Sequence, residues 1–275
     1  MLKTRIITAL VLLSVLLPIV FSGSGLAFAC AAGLFLAAAM WESQRLFNKP
    51  GAIAISIVWA FAFAYLTLQN TSFSLQTLFT VCVLFWIFGL IPSLKFGLPD
   101  VQSFASGLIS GVYAVAIFGC FVAMSYLFGK SPKLLLSVLA LVWIADIGAY
   151  FVGKAIGKRK LAPSISPGKS WEGAIGGAVF VMLFGFSCTY FPILSDTLPA
   201  KIFIHQGGLA LAVVMILISI ASVIGDLFES LLKRRVGVKD SSHLLPGHGG
   251  VLDRIDALIP VLPFAAMLVA IWNLA

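Results

Sequence analysis

The sequence predicts an all-α integral membrane protein with about nine transmembrane helices. Of its 275 residues, 61% are apolar and only 10% are charged, whereas a soluble domain carries about 25% charged residues. The apolar residues form nine long runs, and a helix needs about 20 such residues to cross a bilayer. The basic residues fall mainly in the short loops between these runs. These three observations favour one polytopic membrane domain, residues 1–275, without a sizeable soluble module.

The apolar runs follow each other closely along the chain. Their ranges are 5–22, 25–41, 51–69, 73–91, 103–128, 134–153, 171–193, 207–229 and 257–274. They divide the domain into N-terminal helices (1–70), middle helices (71–153) and C-terminal helices (154–275), the last group carrying the polar segment 230–256. Lys3 and Arg5 precede the first run, as in a signal peptide. A second run begins almost at once, however, which favours a helical hairpin.

The distribution of basic residues predicts the orientation. With nine crossings and a cytoplasmic N-terminus, the outer side receives only Lys130, Lys133 and Lys201 among the 18 basic residues. The others are then cytoplasmic, as the positive-inside rule requires. Basic loops beside an anionic lipid surface explain the net charge of +8, so nucleic acid is not expected as a partner. The polar loops 154–170 and 230–256 both lie on the cytoplasmic face in this arrangement.

Two pairs of glycines have the small-xxx-small spacing that lets transmembrane helices pack closely. The pairs are Gly107 with Gly111 and Gly173 with Gly177. Glycine is also more frequent in membrane helices than in soluble ones. The spacing alone therefore leaves open whether either pair marks a helix contact.

Four aspartates from three helices are expected to converge on the cytoplasmic side of the membrane. Asp146 and Asp226 lie inside apolar runs, and Asp253 and Asp256 directly precede the last run. A carboxylate in the membrane is costly unless it is paired, hydrated or bound to an ion, and carboxylates with water suit Mg²⁺. In the alternative interpretation these acids form structural ion pairs, with candidate partners Lys154, Arg234 and Arg254.

The polar segment contains a loop, residues 246–250, that cannot form an ordinary helix. Its glycines allow backbone N–H groups to converge on an anion. The loop lies between Lys239-Asp240 and Asp253-Arg254, which favours a nucleotide or phosphate loop. His248 either contacts phosphate or braces this loop.

The other basic loop ends at a predicted helix start. Pro167 and Gly168 interrupt any helix, and Ser170 is a suitable N-cap for the apolar run that follows. Lys169 beside a helix N-terminus indicates an anion-binding position. The spacing of a Walker A loop is absent, so this is a different kind of phosphate site.

Several of these residues form a pattern that resembles the signature of the phosphatidate cytidylyltransferases, also called CDP-diacylglycerol synthases. It covers 27 residues without a gap. Its order is Ser230-x-Leu232-Lys233-Arg234-x4-Lys239-Asp240-x-Ser242-x2-Leu245-Pro246-x-His248-Gly249-Gly250-x2-Asp253-Arg254-x-Asp256. Two further segments resemble this family, Asp146-x2-Ala149-Tyr150 and Ser166-Pro167-x-Lys169-x-Trp171-Glu172-Gly173. Chain length, helix number and the C-terminal position of the signature fit a bacterial member.

The resemblance implies an enzyme of phospholipid synthesis in the bacterial inner membrane, with its active site facing the cytoplasm. CTP and phosphatidate would give CDP-diacylglycerol and pyrophosphate, among membrane lipids as further partners. Mg²⁺ is the implied cofactor, and both a second cation and a homodimer stay open. The implied metal ligands are Asp226 and Asp253, with Asp256 and Asp146 as supporting acids.

The reaction suits basic groups rather than a strong general base, because the attacking lipid phosphate is already anionic. The difficulty is to bring two anions together and to stabilise the leaving pyrophosphate. The residues predicted to act in catalysis are Lys169, Lys239, Asp240 and Arg254. The glycines of the loop would lend backbone N–H groups. The residues predicted to bind substrate are Ser166, Lys169, Arg234, Lys239, His248, Gly249, Gly250 and Arg254.

Two other functions are compatible with parts of the pattern. A polyprenol or phytol kinase-like enzyme also uses CTP at a membrane, but the long contiguous signature disfavours it. A transporter would place its acids nearer the bilayer midplane, on interrupted helices in repeated halves. The acids here crowd one face beside basic loops, which favours the enzyme.

Overall fold

Within residues 2–68 and 74–274, which the computed structural model describes, the chain is mainly α-helical. The helices are α1 (Leu2–Phe21), α2 (Gly25–Leu46), α3 (Ala52–Leu68), α4 (Leu75–Phe85), α5 (Ile91–Phe96), α6 (Phe104–Lys130), α7 (Pro132–Ile156), α8 (Trp171–Ser187), α9 (Leu198–Arg235), α10 (Leu252–Ile255) and α11 (Leu258–Ile271). A π-helical turn, Trp86–Leu90, joins α4 to α5. Two short strands, β1 (Lys160–Ala162) and β2 (Ser166–Ser170), form an antiparallel hairpin.

The all-α membrane fold class is confirmed. Five helical segments among the described residues are long and apolar enough to cross a bilayer: Gly25–Leu46, Leu75–Phe96, Phe104–Lys130, Pro132–Ile156 and Leu198–Arg235. The shorter apolar helices are Leu10–Phe21, Ala52–Thr67, Trp171–Ser187 and Leu258–Ile271. Each of these nine segments overlaps one of the nine predicted runs, while nine full crossings and a cytoplasmic N-terminus stay predictions. The predicted helix ends at 69 and 73, and the boundary between 70 and 71, lie outside the described residues.

Two elements differ from the sequence-based expectation. α9 has an additional helical part before the predicted start at 207, which begins at Leu198. Pro199 lies in its first turn, where proline is tolerated. Gly207, with a φ of 84°, kinks this helix where the apolar run predicts its start. The sequence also does not predict the hairpin β1–β2. Strands this short, with Pro167 and Gly168 inside β2, carry no alternating apolar pattern.

The core of the bundle lies around α11, which packs against α4, α6, α7 and α9. Its Ile259, Leu262 and Ala266 side chains are fully buried. Asp253 and Asp256 directly precede this helix. The polar segment is therefore anchored at the end of the most enclosed helix of the bundle.

One of the two glycine pairs forms a close helix contact. Gly173 and Gly177 of α8 face α7, where a Cβ atom at Gly173 would lie 2.8 Å from the Ala149 carbonyl oxygen. A Cβ atom at Gly111 would meet no atom within 4 Å, and one at Gly107 would meet only Lys49 Nζ, at 3.6 Å. The small-residue spacing therefore marks a helix contact in α8 and none in α6 among the described residues.

Replacing Gly177 with alanine is expected to lower the free energy of unfolding by about 1–3 kcal/mol, the usual cost of overpacking. The new Cβ atom would lie 2.5 Å from the Ala145 carbonyl oxygen, which belongs to the rigid backbone of α7. Thermal unfolding of the purified protein in detergent measures this change. Gly111→Ala is the matched control, since it makes the same change on a helix surface without a neighbour. Equal unfolding temperatures for the two variants would contradict the proposed contact.

Candidate active site

A cavity of about 580 Å³ lies among α7, the hairpin, α8, α9 and α10. Apolar and small residues, such as Ala145, Ala149 and Gly177, form part of its wall. Its charged and hydroxyl-bearing lining residues are Asp146, Tyr150, Lys154, Ser166, Lys169, Ser170, Ser219, Asp226, Asp253, Arg254 and Asp256. The four aspartates that the sequence singles out thus share one cavity, although they are up to 110 positions apart in the chain.

Close packing of α9 on α11 brings two of these acids together. A Cβ atom at Gly225 would lie 2.9 Å from Pro260 Cδ, so only glycine permits this approach without a shift. Asp226 is the next residue of α9, and Asp256 lies just before α11. The absence of a side chain at Gly225 therefore allows the two carboxyl groups to face the same space.

Lys169 provides positive charge among the acids. Its Nζ atom lies 2.6 Å from Asp226 Oδ2, and both side chains are partly exposed to the cavity. Lys169 is held by β2, and Ser170 caps α8 by accepting a hydrogen bond from the Gly173 N–H at 3.1 Å. Asp146 approaches from α7 and accepts a bond from Ser222 Oγ at 3.4 Å. The cavity is thus lined by four aspartates, with Lys169 paired to Asp226 and with Lys154 and Arg254 as further basic lining residues.

The two acids of the polar segment have opposite electrostatic environments. Burial raises the pKa of Asp256, and the neighbouring charge of Asp226 raises it further. Burial also acts to raise the pKa of Asp253, but hydrogen bonds from Lys233 and from the Gly250 N–H outweigh it and lower the pKa. Asp253 is therefore held ionised, whereas Asp256 would gain most from a cation in the cavity.

Asp253 is tied into its own segment by three donated hydrogen bonds and by a hydroxyl that it shares with Glu42. Its Oδ2 atom accepts from the Gly250 N–H at 2.7 Å and from the Ser241 N–H and Oγ, both at 2.9 Å. Its Oδ1 atom accepts from Lys233 Nζ at 2.7 Å, and Lys233 also pairs with the buried Glu229. Asp253 thus organises the loop as well as lining the cavity.

Glu42 is a buried acid of α2 that no sequence motif singles out, and it lies some 200 residues before the polar segment. Its carboxylate is fully buried and accepts hydrogen bonds from Ser241, Ser242, Val251 and Leu252. One sequence signal points to it, because Glu42 is the only acidic residue before Asp100. A lone acid at the end of an apolar run is costly unless the fold supplies partners.

The structural ion pairs differ from those that the alternative interpretation expects. Among the described residues Asp226 pairs with Lys169 and Asp253 pairs with Lys233, whereas Asp146 and Asp256 form no salt bridge. Lys154, Arg234 and Arg254 form no such pair there. Arg234 instead donates to the Ile165 and Val238 carbonyl oxygens, both at 3.4 Å. Because Arg234 donates to backbone carbonyl oxygens and not to the aspartates, the carboxylates of the aspartates face the cavity.

The donor set fits a hard divalent cation held with help from its substrate. Within residues 2–68 and 74–274, no three His, Cys, Asp or Glu side chains are close enough to hold a metal ion together. Mg²⁺, however, is usually bound by one or two carboxylates, several waters and the phosphates of a nucleotide rather than by an all-protein cage. Asp226 and Asp253, which both line the cavity, satisfy that requirement, and Asp256 and Asp146 lie in the same wall.

Comparison with known proteins gives the family. The model of the cytidylyltransferase family matches residues 3–272. The chain belongs to this family. It is 37% identical to the phosphatidate cytidylyltransferase of Haemophilus influenzae, over 96% of this chain and 97% of the relative. It is 36% identical to that of Pseudomonas aeruginosa, over 98% and 97%, and 32% identical to that of Bacillus subtilis, over 98% of both.

In this cytidylyltransferase the cavity unites only part of the predicted site. Seven of the predicted residues line it: Asp146, Ser166, Lys169, Asp226, Asp253, Arg254 and Asp256. Lys239 and Asp240 are exposed and do not line the cavity. The Gly250 N–H donates to Asp253 Oδ2 at 2.7 Å, while its predicted contact with a phosphate stays a prediction. The loop needs this N–H to fix its own acid.

The 246–250 loop is braced from two directions. Arg254 donates from Nε and Nη2 to the His248 carbonyl oxygen, at 3.1 and 2.6 Å. Thr8 of α1 donates to the Pro246 carbonyl oxygen at 2.8 Å. A bridge between Leu245 and Gly249 closes the turn. The backbone of His248 therefore takes part in bracing, while contact of its side chain with phosphate stays a prediction.

Proposed function

We propose that this enzyme transfers CMP from CTP to phosphatidate, giving CDP-diacylglycerol and pyrophosphate. The observation that carries the proposal is a single cavity that combines Lys169 and Arg254 with four aspartates. Such a cavity suits a triphosphate with a divalent cation. The full-length similarity to relatives named phosphatidate cytidylyltransferase supports the same reaction. The basic loops favour a site on the cytoplasmic face of the bacterial inner membrane, where CTP is available.

An apolar groove next to the cavity would accommodate the lipid substrate. The groove has a volume of about 540 Å³, and it shares Ala178 with the cavity wall. Its lining residues, on α8 and α9, are Ile175, Ala178, Val179, Met182, Leu183, Phe186 and Ile216. A phosphatidate headgroup in the cavity would thus leave its acyl chains beside an apolar, lipid-facing wall.

The chemical step needs charge compensation more than proton transfer. An anionic oxygen of phosphatidate attacks the α-phosphorus of CTP, a new P–O bond forms, and the bond to the leaving pyrophosphate breaks. Lys169 and Arg254 would neutralise phosphate oxygens as the two anions meet. Lys169 would exchange its contact with Asp226 for a substrate phosphate, and the Ser166 hydroxyl would donate to the same group. In-line positioning by these contacts supplies the remaining rate enhancement.

Mg²⁺ would be held by Asp226 and Asp253, with Asp256 and Asp146 as supporting carboxylates. When bound, the ion would offset negative charge on the triphosphate and the leaving pyrophosphate. A second cation would be accommodated by the same acidic wall. The residues that do not line the cavity would contact the nucleotide only at its rim: Arg234, Lys239, Asp240, His248 and Gly249.

The purified protein in detergent is expected to convert phosphatidate and CTP to CDP-diacylglycerol only when Mg²⁺ is present. The position of a radioactive label distinguishes the proposed reaction from a kinase. Label at the α-phosphate of CTP should enter the lipid, and label at the γ-phosphate should leave as pyrophosphate. Entry of the γ-label into a lipid alcohol would indicate a kinase. No Mg²⁺-dependent labelling of lipid from either position would refute the proposed function.

A further inference from the structure

Glu42 binds both ends of the segment that carries the loop. Its Oε1 atom accepts from Ser242 Oγ at 2.5 Å and from the Val251 N–H at 3.0 Å. Its Oε2 atom accepts from the Leu252 N–H at 2.6 Å and from Ser241 Oγ at 3.2 Å. A fully buried carboxylate with three donors of its own and a share in the Ser241 hydroxyl is a strong, directional anchor, because charge-assisted hydrogen bonds exceed neutral ones in strength.

The Val251 and Leu252 N–H groups belong to the start of α10, where a helix leaves its first N–H groups without partners inside the helix. No side chain of the turn itself caps this start. Glu42, from the distant α2, provides the missing acceptor. The turn that carries Asp253 is therefore completed by a residue outside the polar segment.

Ser241 links Glu42 to Asp253. Its Oγ atom lies 3.2 Å from Glu42 Oε2 and 2.9 Å from Asp253 Oδ2. The hydroxyl has one proton and can donate to only one carboxylate at a time, while the Ser241 N–H continues to bind Asp253. Gly250 packs directly against Ser241 and Glu42, and a Cβ atom at this position would collide with Ser241 Oγ and Glu42 Oε1. The carboxylates of Glu42 and Asp253 thus belong to one buried hydrogen-bond network, connected through Ser241.

We propose that Glu42 is a positioning residue that holds residues 241–252 so that Asp253 faces the cavity. Its influence on turnover rests on the proposed function, since Glu42 itself does not line the cavity. Its influence on the order of the loop is independent of the proposed function and can be measured without substrate or metal. If Glu42 only stabilised the fold, its substitution would lower the stability of the whole protein. If Glu42 positions Asp253, its substitution changes the order of this loop and the affinity for Mg²⁺.

Glu42→Gln tests the proposal with little change in volume. The NH₂ group of glutamine would face N–H and O–H donors that now bind a carboxylate oxygen. These donors would lose their acceptor, and the loop should become less ordered. In metal-free protein, hydrogen exchange should accelerate about ten-fold or more at Val251 and Leu252. It should accelerate also at Ser241 and Gly250, whose N–H groups bind Asp253 rather than Glu42. In activity assays the Mg²⁺ concentration for half-maximal rate should rise about 10- to 100-fold, while the KM for phosphatidate stays close to its original value.

Asp196→Asn is the control, because Asp196, like Glu42, is a carboxylate that accepts a hydrogen bond from a serine hydroxyl, here that of Ser131, and it pairs with Lys201. It does not line the cavity, and exchange at residues 241–252 should not change. If Glu42→Gln cannot be purified, Ser242→Ala removes one donor to the same carboxylate and should produce a smaller change in the same amides.

Three outcomes decide the proposal. Faster exchange at Ser241 and Gly250 supports it even if the original protein makes no CDP-lipid, a result that would refute only the proposed function. Acceleration confined to Val251 and Leu252, with an unchanged Mg²⁺ requirement, would overturn it in favour of a local brace. Unchanged exchange throughout residues 241–252 would overturn it as well.

Discussion

Asp226→Asn is expected to lower the rate of CDP-diacylglycerol synthesis by about 100- to 1,000-fold, the usual effect of removing a central electrostatic group. The substitution keeps the size of the side chain and the hydrogen bond from Ser230, which is 3.3 Å long. It removes the charge that binds Lys169 at 2.6 Å. Without this charge the cavity would lose a carboxylate ligand for Mg²⁺. Lys169 would also lose the acid that positions its ammonium group. The rate, measured at saturating CTP and over a range of Mg²⁺ concentrations, tests this expectation.

The control for Asp226→Asn is Asp100→Asn, which makes the same chemical change at an exposed loop residue. It should keep the original rate. Asp253→Asn provides a second comparison, because this acid also accepts three bonds on Oδ2 from Ser241 and Gly250. That variant should lose activity together with the order of the loop, whereas Asp226→Asn should lose activity alone. An Asp226→Asn protein with a near-normal rate would exclude Asp226 from the metal and phosphate site.

The membrane fold and the acidic wall of the site could be predicted from the sequence for a clear physical reason. Long apolar runs have few alternatives to helix in a bilayer, because backbone groups in lipid must be paired within the chain. A carboxylate in such a run, as at Asp146 and Asp226, is too costly to be incidental. Both residues line the cavity, as does Lys169 from the other basic loop.

The parts that could not be predicted depend on contacts between distant segments. Glu42 has no neighbour in sequence that suggests a partner, and its four donors lie about 200 residues later. The spacing of the glycine loop likewise does not reveal that the Gly250 N–H donates to Asp253, because that bond depends on how the loop folds back onto the acid. Spacing along the chain shows which residues share a segment, but the folded structure decides which groups are already used by one another.

The largest loss of stability is expected from Lys233→Met. Lys233 Nζ pairs with Glu229 and lies 2.7 Å from Asp253 Oδ1. Glu229 is fully buried, and within the described residues its carboxylate oxygens have no hydrogen-bond partner apart from this ion pair. Removing one partner of a buried ion pair costs about 3–5 kcal/mol, because the remaining charge is left unpaired. Unfolding of the purified variant in detergent, by heat or denaturant, should show this loss.

The double variant Lys233→Met/Glu229→Gln tests whether the loss comes from the unpaired charge. Glutamine removes the negative charge of Glu229, and Asp253 keeps its three bonds on Oδ2. The double variant should therefore be more stable than Lys233→Met alone. If lost packing were the cause instead, the losses from the two substitutions would add. Equal stability of Lys233→Met and the original protein would show that Lys233 is dispensable for holding Asp253. Recovery in the double variant without recovery of activity would separate the two functions of Lys233, the neutralisation of Glu229 and the orientation of Asp253 toward the cavity.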